Sequence, residues 1–280
     1  MQKIIAAFDG LKFSAGTRDY AIDIARQTNT HLVGVFMDDP GYSSYKIYEF
    51  ISKEGVSAGS LNKFEAKDRS TRDAAAKNFE KACQKEGLEY NIHHDRKTAI
   101  QALKHESIYC DLLVIDTGET LTHYKEKLPT RFIRDLLSDT QCPVLVVPQK
   151  YKPVQKIILL YDGGPSSVYA IKMFSYLLPQ LKQLETEVIS VNPVNTTLHM
   201  PDNKLMKEFM KRHYPKAKYV VTKGWAEDEI VRHLKLQQHI NALVVLGAYR
   251  RGTISRWFRE SMADILMKEV KLPLFIAHNK

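Results

Sequence analysis

The sequence is short of most features that assign a function directly. Its three cysteines, Cys83, Cys110 and Cys142, are odd in number, far apart and outside any C-x-x-C spacing, so neither a disulfide framework nor a zinc site is implied. They read as small buried hydrophobes. No apolar run approaches the ~20 residues of a membrane span. Met1-Gln2-Lys3 passes into Ile4-Ile5-Ala6-Ala7-Phe8, too short a run for a signal-peptide core. The expectation is a cytoplasmic protein with no membrane partner. There is no G-x-G-x-x-G, no Walker lysine pattern, no G-x-S-x-G, and no Ser/His/Asp set that spacing alone assembles. A catalytic nucleophile is not indicated. His93-His94-Asp95 has no accompanying Cys or His cluster, and adjacent side chains of a strand point to opposite faces, so no metal is read there.

What is present describes an ordinary globular chain with room for two domains: 280 residues, 44% hydrophobic and 26% charged. The formal net charge of +9 favours anionic partners in general without singling out nucleic acid. One unit is written twice. Residues 3–8 form a β-branched and aromatic run ending in Asp9-Gly10, followed by Ser14 and a helical spacing of Tyr20, Ile22, Ile24 and Ala25. Ile157 to Tyr161 repeats the run, ending in Asp162-Gly163-Gly164, with Ser166 opening a helix. Leu112 to Ile115 corresponds to Leu243 to Leu246, and Cys142-Pro143-Val144-Leu145-Val146 to Leu272-Pro273-Leu274-Phe275-Ile276. One duplicated domain explains these coincidences more economically than two independent origins.

Each half alternates apolar runs with helical stretches, which predicts parallel strands joined by right-handed crossovers. Strands are expected near 3–8, 31–37, 88–93, 111–116 and 143–147, then near 155–161, 186–192, 218–223, 242–247 and 273–278. Pro148 to Pro153 reads as a short polar linker, which gives domains 1–149 and 154–280. The first half is longer because of a segment from about Asp38 to Phe64, carrying Tyr42, Tyr45 and Tyr48, which leaves from the carboxyl edge of the sheet. It reads as a lid, a partner surface or a plain surface insertion.

The most informative stretch is Leu243-Val244-Val245-Leu246-Gly247, then a basic loop with Arg250, Arg251, Gly252, Arg256 and Arg259, then Glu260-Ser261 before a helical pattern. Strand, loop and helix N-terminus in this order form an anion-binding arrangement. It resembles the universal stress protein family, whose nucleotide-binding members carry Gly, two residues, Gly, nine residues, then Gly-Ser or Gly-Thr here. Gly247 and Ser261 match that pattern; Arg250 and Glu260 replace glycines. The resemblance covers both halves. It implies two tandem five-stranded parallel-sheet domains of the adenine-nucleotide alpha-hydrolase-like type, strand order 3-2-1-4-5, with helices on both faces. It also implies ATP in the second domain, held by Asp162, Gly163, Val191, Gly247, Arg250, Gly252, Glu260 and Ser261, and a stress-response role that is regulatory rather than catalytic. The alternatives are an interaction scaffold without nucleotide and, least supported, an ATP-cleaving enzyme.

Each candidate has a plainer reading. Gly247 can be a loop glycine, Ser261 an ordinary helix cap, Asp162 an Asx-turn that stops a strand, and the arginines a solvated face. Trp225, Trp257 and Phe258 read as core or rim aromatics, the latter two able to stack a base beside the arginines. A carboxylate at Glu260 is drawn to the helix-end amides that phosphate would use. In the first half Asp116-Thr117-Gly118-Glu119 follows the fourth strand, and Thr130-Arg131 falls where Gly-Ser belongs. Two carboxylates stand where phosphate would sit, so this site reads as degenerate. The terminal strands at Leu145-Val146-Val147 and Leu274-Phe275-Ile276 are apolar edges, and edges seek partners. The family dimerises through this strand, which implies an intramolecular pseudo-dimer here, with a homodimer as the other arrangement.

Overall fold

The computed structural model describes residues 1–39, 42–43, 58–95, 98–122, 124–237, 239–248 and 261–279. Among them the first half runs β1 (Lys3–Asp9), α1 (Ala15–Thr28), β2 (His31–Met37), α2 (Ala58–Lys85), β3 (Tyr90–Asp95), α3 (Ala99–Glu106), β4 (Leu112–Asp116), α4 (Arg131–Leu137) and β5 (Val144–Val147). The second runs β6 (Lys156–Leu160), α5 (Pro165–Leu177), β7 (Glu185–Asn192), α6 (Asn203–His213), β8 (Lys218–Lys223), α7 (Ala226–Leu236), β9 (Ala242–Gly247), α8 (Met262–Glu269) and β10 (Leu274–Ala277). None of the described helices is long and apolar enough to cross a membrane.

Continuous β-branched runs make strands buried on both faces, the signature of a parallel sheet clad by helices. In β1 the alternation is visible residue by residue. Ile4, Ala6 and Phe8 join one core with Phe36 and Phe79, while Ile5 and Ala7 join the other with Leu113 and Leu136. Helix ends are marked by their own chemistry. Ser14 caps α1 by accepting from the Thr17 amide at 3.2 Å, and Asn29 closes it in the left-handed conformation.

The ten strands form one sheet in the order β3-β2-β1-β4-β5-β10-β9-β6-β7-β8. Each half has the order 3-2-1-4-5, and the halves meet where β5 and β10 pair antiparallel, with Leu274 opposite Val146 and Phe275 opposite Leu145. Both cores cross this seam: Leu145 and Phe275 share one, Val146 and Leu274 the other. Outside the sheet the halves are tied by Arg134 of α4 and Asp264 of α8, 3.8 Å apart. Asn241 adds a polar tie, its side-chain amide donating to the Lys152 and Pro153 carbonyls of the linker at 2.7 and 3.1 Å and to the Tyr20 hydroxyl of α1 at 3.4 Å.

Three sequence expectations shift. The third strand starts at Tyr90 rather than at residue 88, because Gly87, at φ +65, and Leu88 still belong to the turn after α2. Ser166 does not open a helix: α5 starts at Pro165, whose fixed φ suits a first helical position. Trp225 is not a core residue but the exposed N-cap of α7.

Candidate functional site

Ligands of open α/β sheets bind beyond the carboxyl ends of the strands, and each half offers one such edge. In the second half, register aligns the ends of three strands. Leu160 pairs with Ile189, which puts Asp162 beside Val191, and β9 ends alongside at Gly247. Asp162 is exposed. Its Oδ1 accepts from the Gly164 amide at 2.8 Å and the Ser167 hydroxyl at 2.7 Å, tying the strand end to the start of α5. Gly163 sits at φ +81, and a Cβ there would lie 2.8 Å from Cβ of Pro201, so backbone sign and space both require glycine. Pro201 belongs to the loop after β7, which Asn192 holds by donating to the Thr197 and His199 carbonyls, each at 2.8 Å.

Gly247 is also a point of close approach, but what approaches is the chain itself. A Cβ at Gly247 would lie 2.4 Å from the carbonyl carbon of Ser166 and 2.6 Å from the Ser167 nitrogen, so α5 packs directly onto the end of β9. Ser261 is the N-cap of α8, its hydroxyl accepting from the Asp264 amide at 3.1 Å. That hydroxyl keeps its own proton to donate. Arg250, Gly252 and Glu260 lie outside the described residues, as do Arg251, Arg256, Trp257, Phe258 and Arg259. The structure therefore brings Asp162, Gly163, Val191 and Gly247 to one edge, with Ser261 opening the helix that follows β9.

The first-half edge is filled with acid. Asp9, at the end of β1, is 1% exposed and accepts from the Leu11 amide at 2.8 Å. Burial raises its pKa, against the pull of the Leu11 amide and the Tyr42 hydroxyl. Asp116, at the end of β4, accepts from the Ser14 hydroxyl and the Gly118 amide, both at 2.7 Å, and burial raises its pKa too. Glu119 Oε1 takes the Thr120 and Leu121 amides at 2.9 and 3.0 Å. Burial, then the nearby Asp9 charge, pushes Glu119 up to about 7. Lys12 is the cation that faces this group, its Nζ donating to the Thr122 carbonyl and, at 3.4 Å, to Thr120 Oγ1. Tyr42 closes the top: it is buried, its ring lies 5.4 Å from Lys12 Nζ, and Arg72 holds its carbonyl at 2.9 Å.

Thr130, not Arg131, is the counterpart of Ser261. It caps α4 by accepting from the Ile133 amide at 3.2 Å, so the sequence alignment on Cys142-Pro143 is one residue out, the difference falling between α4 and β5. Tyr42 is the residue that sequence reasoning missed as part of a site; its insertion has no periodicity to place it. His93 and His94 point to separate carboxylates, Glu106 at 2.8 Å and Asp38 at 3.2 Å.

Two cavities border the linker between the halves. One of ≈ 490 Å³ has Asp116, Gly118, Lys150, Lys152 and Lys271 among its walls; another of ≈ 570 Å³ is lined by Lys152, His239, Asn241 and Lys271 among others. Neither is lined by Asp162, Gly163, Val191, Gly247 or Ser261.

Tandem halves of order 3-2-1-4-5, joined edge to edge, define the fold as that of two-domain universal stress proteins. A universal stress protein from Archaeoglobus fulgidus DSM 4304 matches with a TM-score of 0.72 at 12% identity, over 99% of this chain and 98% of that one. A protein of unknown function from Pseudomonas aeruginosa PAO1 matches at TM-score 0.61 and 13% identity, over 99% and 92% of the two chains. A protein described as a universal stress protein, from Pseudomonas aeruginosa UCBPP-PA14, gives 0.60 and 15%, over 99% and 93%. No protein-family model matches the chain and no curated protein matches its sequence. At these identities the likeness is one of fold.

Proposed function

We propose that this chain binds an adenine nucleotide, ATP, at the carboxyl edge of its second half, within a domain spanning residues 154–280. In this reading it serves as a cytoplasmic stress-response regulator rather than a catalyst. The observation that carries the proposal is the contrast in access between the two strand-end aspartates: Asp162 is exposed, whereas Asp9 is buried among Asp116, Glu119 and Tyr42. Asp162 accepts from the ribose or the base amine, with Gly163 and Val191 beside it. Gly247, Arg250, Gly252 and Ser261 are the residues that take the phosphates, Ser261 with a hydroxyl proton free to donate while its oxygen caps α8. Glu260 sets the affinity by competing for the same helix end. The stress role rests on fold alone.

The experiment is a melting curve of the full chain with and without Mg-ATP. At 100-fold over the dissociation constant the gain is about 2.7 kcal/mol, or roughly 5 °C where the chain unfolds as one unit and up to about 10 °C where the second half unfolds alone. Asp162→Ala and Ser261→Ala should each reduce the gain, Glu260→Gly should enlarge it, and Glu119→Gln should leave it alone. No shift and no calorimetric heat at millimolar ATP would defeat the proposal. A second reading, a scaffold without nucleotide, is favoured by the space beside Gly247 being taken by Ser166 and Ser167 and by the engagement of Asp162 Oδ1. Mass spectrometry of small molecules released on denaturation separates the two.

A further inference from the structure

Two of the three cysteines, remote in sequence, meet in the fold. Cys110 stands two residues ahead of β4 and Cys142 two residues ahead of β5, and these strands are parallel neighbours, with Leu113 opposite Val144. Carried back, that register sets Cys142 opposite Asp111, one residue on from Cys110, and across this stagger the two thiols touch, Sγ to Sγ 3.4 Å. Strands roughly 4.8 Å apart with a stagger of about 3.3 Å along the chain give a Cα separation of about 5.8 Å, inside the about 4.4–6.8 Å that disulfides span. Closing the sulfurs to about 2.0 Å is then a matter of side-chain rotation and small backbone adjustment. Ser107 holds both lead-ins in place. Its carbonyl accepts from the Cys110 thiol at 3.8 Å, and its hydroxyl oxygen accepts from the Gln141 amide at 3.0 Å, one residue before Cys142.

Access differs between the two sulfurs. Cys110 is half-buried, whereas Cys142 is buried and faces a cavity of ≈ 310 Å³ lined also by Thr140, Tyr169 and His278. Cys83 is fully buried with no sulfur beside it, and burial pushes its thiol up to about 12. It is the internal control.

We propose that Cys110 and Cys142 form a reversible intramolecular disulfide on exposure to a hydroperoxide, making the lead-ins of β4 and β5 an oxidant-sensitive modification site. The Cys110 sulfur attacks the peroxide oxygen, the O–O bond breaks, and the thiol becomes a sulfenic acid as one water leaves. The Cys142 sulfur then attacks the Cys110 sulfur; the S–O bond breaks and a second water departs with the thiol proton. Two electrons pass from the thiols to one hydrogen peroxide, and a dithiol reductant restores them. Contact with Cys110 and then burial hold the Cys142 thiol protonated well above the ordinary range, which leaves the first step, attack on the peroxide, to the more accessible Cys110. The bond would close the segment that carries Asp116, Glu119, Thr130 and α4, and so stiffen the first-half edge. This inference stands apart from the nucleotide reading.

The test is to treat the reduced full chain with a few equivalents of hydrogen peroxide, then map peptides without reduction and titrate thiols in denaturant. Expected are a linked Cys110–Cys142 peptide pair lacking two hydrogens, a thiol count falling from three to one with Cys83 left reduced, and recovery with dithiothreitol. The melting temperature of the linked chain should rise by roughly 5–10 °C. Cys83→Ser should behave as the parent. Over-oxidation of Cys110 without linkage, dimers linked between chains, or three unreacted thiols would each overturn the proposal.

Discussion

At the carboxyl end of its central strand each half carries an aspartate, and the two are treated in opposite ways. Asp9 is buried with Asp116 and Glu119, under Tyr42, and all three carboxyls are pushed toward their neutral forms. Asp162 is exposed, and the residue corresponding to Asp116 is Gly247, on whose missing side chain α5 rests. The first edge supplies its own acceptors: Glu119 takes two consecutive amides, the kind of donor a phosphate would use. The second leaves a carboxylate and a capped helix end to the outside. A duplicated unit can thus keep its frame while one copy closes its edge with buried carboxyls and the other leaves it accessible.

The most drastic way to sharpen this contrast is to uncouple the halves. Val146 is fully buried opposite Leu274, so Val146→Lys places an unpaired ammonium in the seam at a cost of about 3–5 kcal/mol. Small-angle scattering should show a larger radius of gyration, and an unchanged radius would mean that the seam is not what holds the halves together. Next comes the first edge. Glu119 holds its proton in the folded chain to about pH 7 but has an ordinary value of 4.5. Its favourable contribution is therefore complete below pH 4.5 and is lost as pH rises through 7. Glu119→Gln should stabilise the chain at pH 8 by roughly 3 kcal/mol and flatten the melting temperature between pH 5 and 8. The same exchange at exposed Asp162 should stay within about 0.5 kcal/mol. Last, Gly247→Ala forces a methyl against Ser166 and should cost about 1–3 kcal/mol in urea titration. A neutral result would show that the backbone can give way there.

The frame was legible because its causes are local. Apolar runs, Asp-Gly strand ends and Pro-initiated edges recur in both halves, and they locate nine of the strands closely and β3 two residues early. The seam is what the family resemblance implies, and the two apolar edges, each in need of a partner, agree with it. What stayed hidden depends on which segments the fold brings together. Gly247 announces a close approach but not that Ser166, rather than a ligand, is the approaching group. The cysteines are remote in sequence; their positions just ahead of β4 and β5 are the available signal, readable once those strands are taken as neighbours. Tyr42 lies in an insertion with no repeat partner in the second half, so nothing in the pattern pointed it at Asp9.

The antiparallel pairing of β5 with β10 also has a consequence in time. β5 is complete once residue 147 has been made, yet the strand that covers its edge is the last of the ten to be synthesised. At roughly 5–20 residues per second, the ribosome leaves Val144–Val147 uncovered for several seconds or more while the second half is translated. During that interval the nascent first half presents an apolar strand edge to every other nascent copy on the same message. Early termination, or a pause within the second half, should therefore give sticky fragments rather than a soluble single domain.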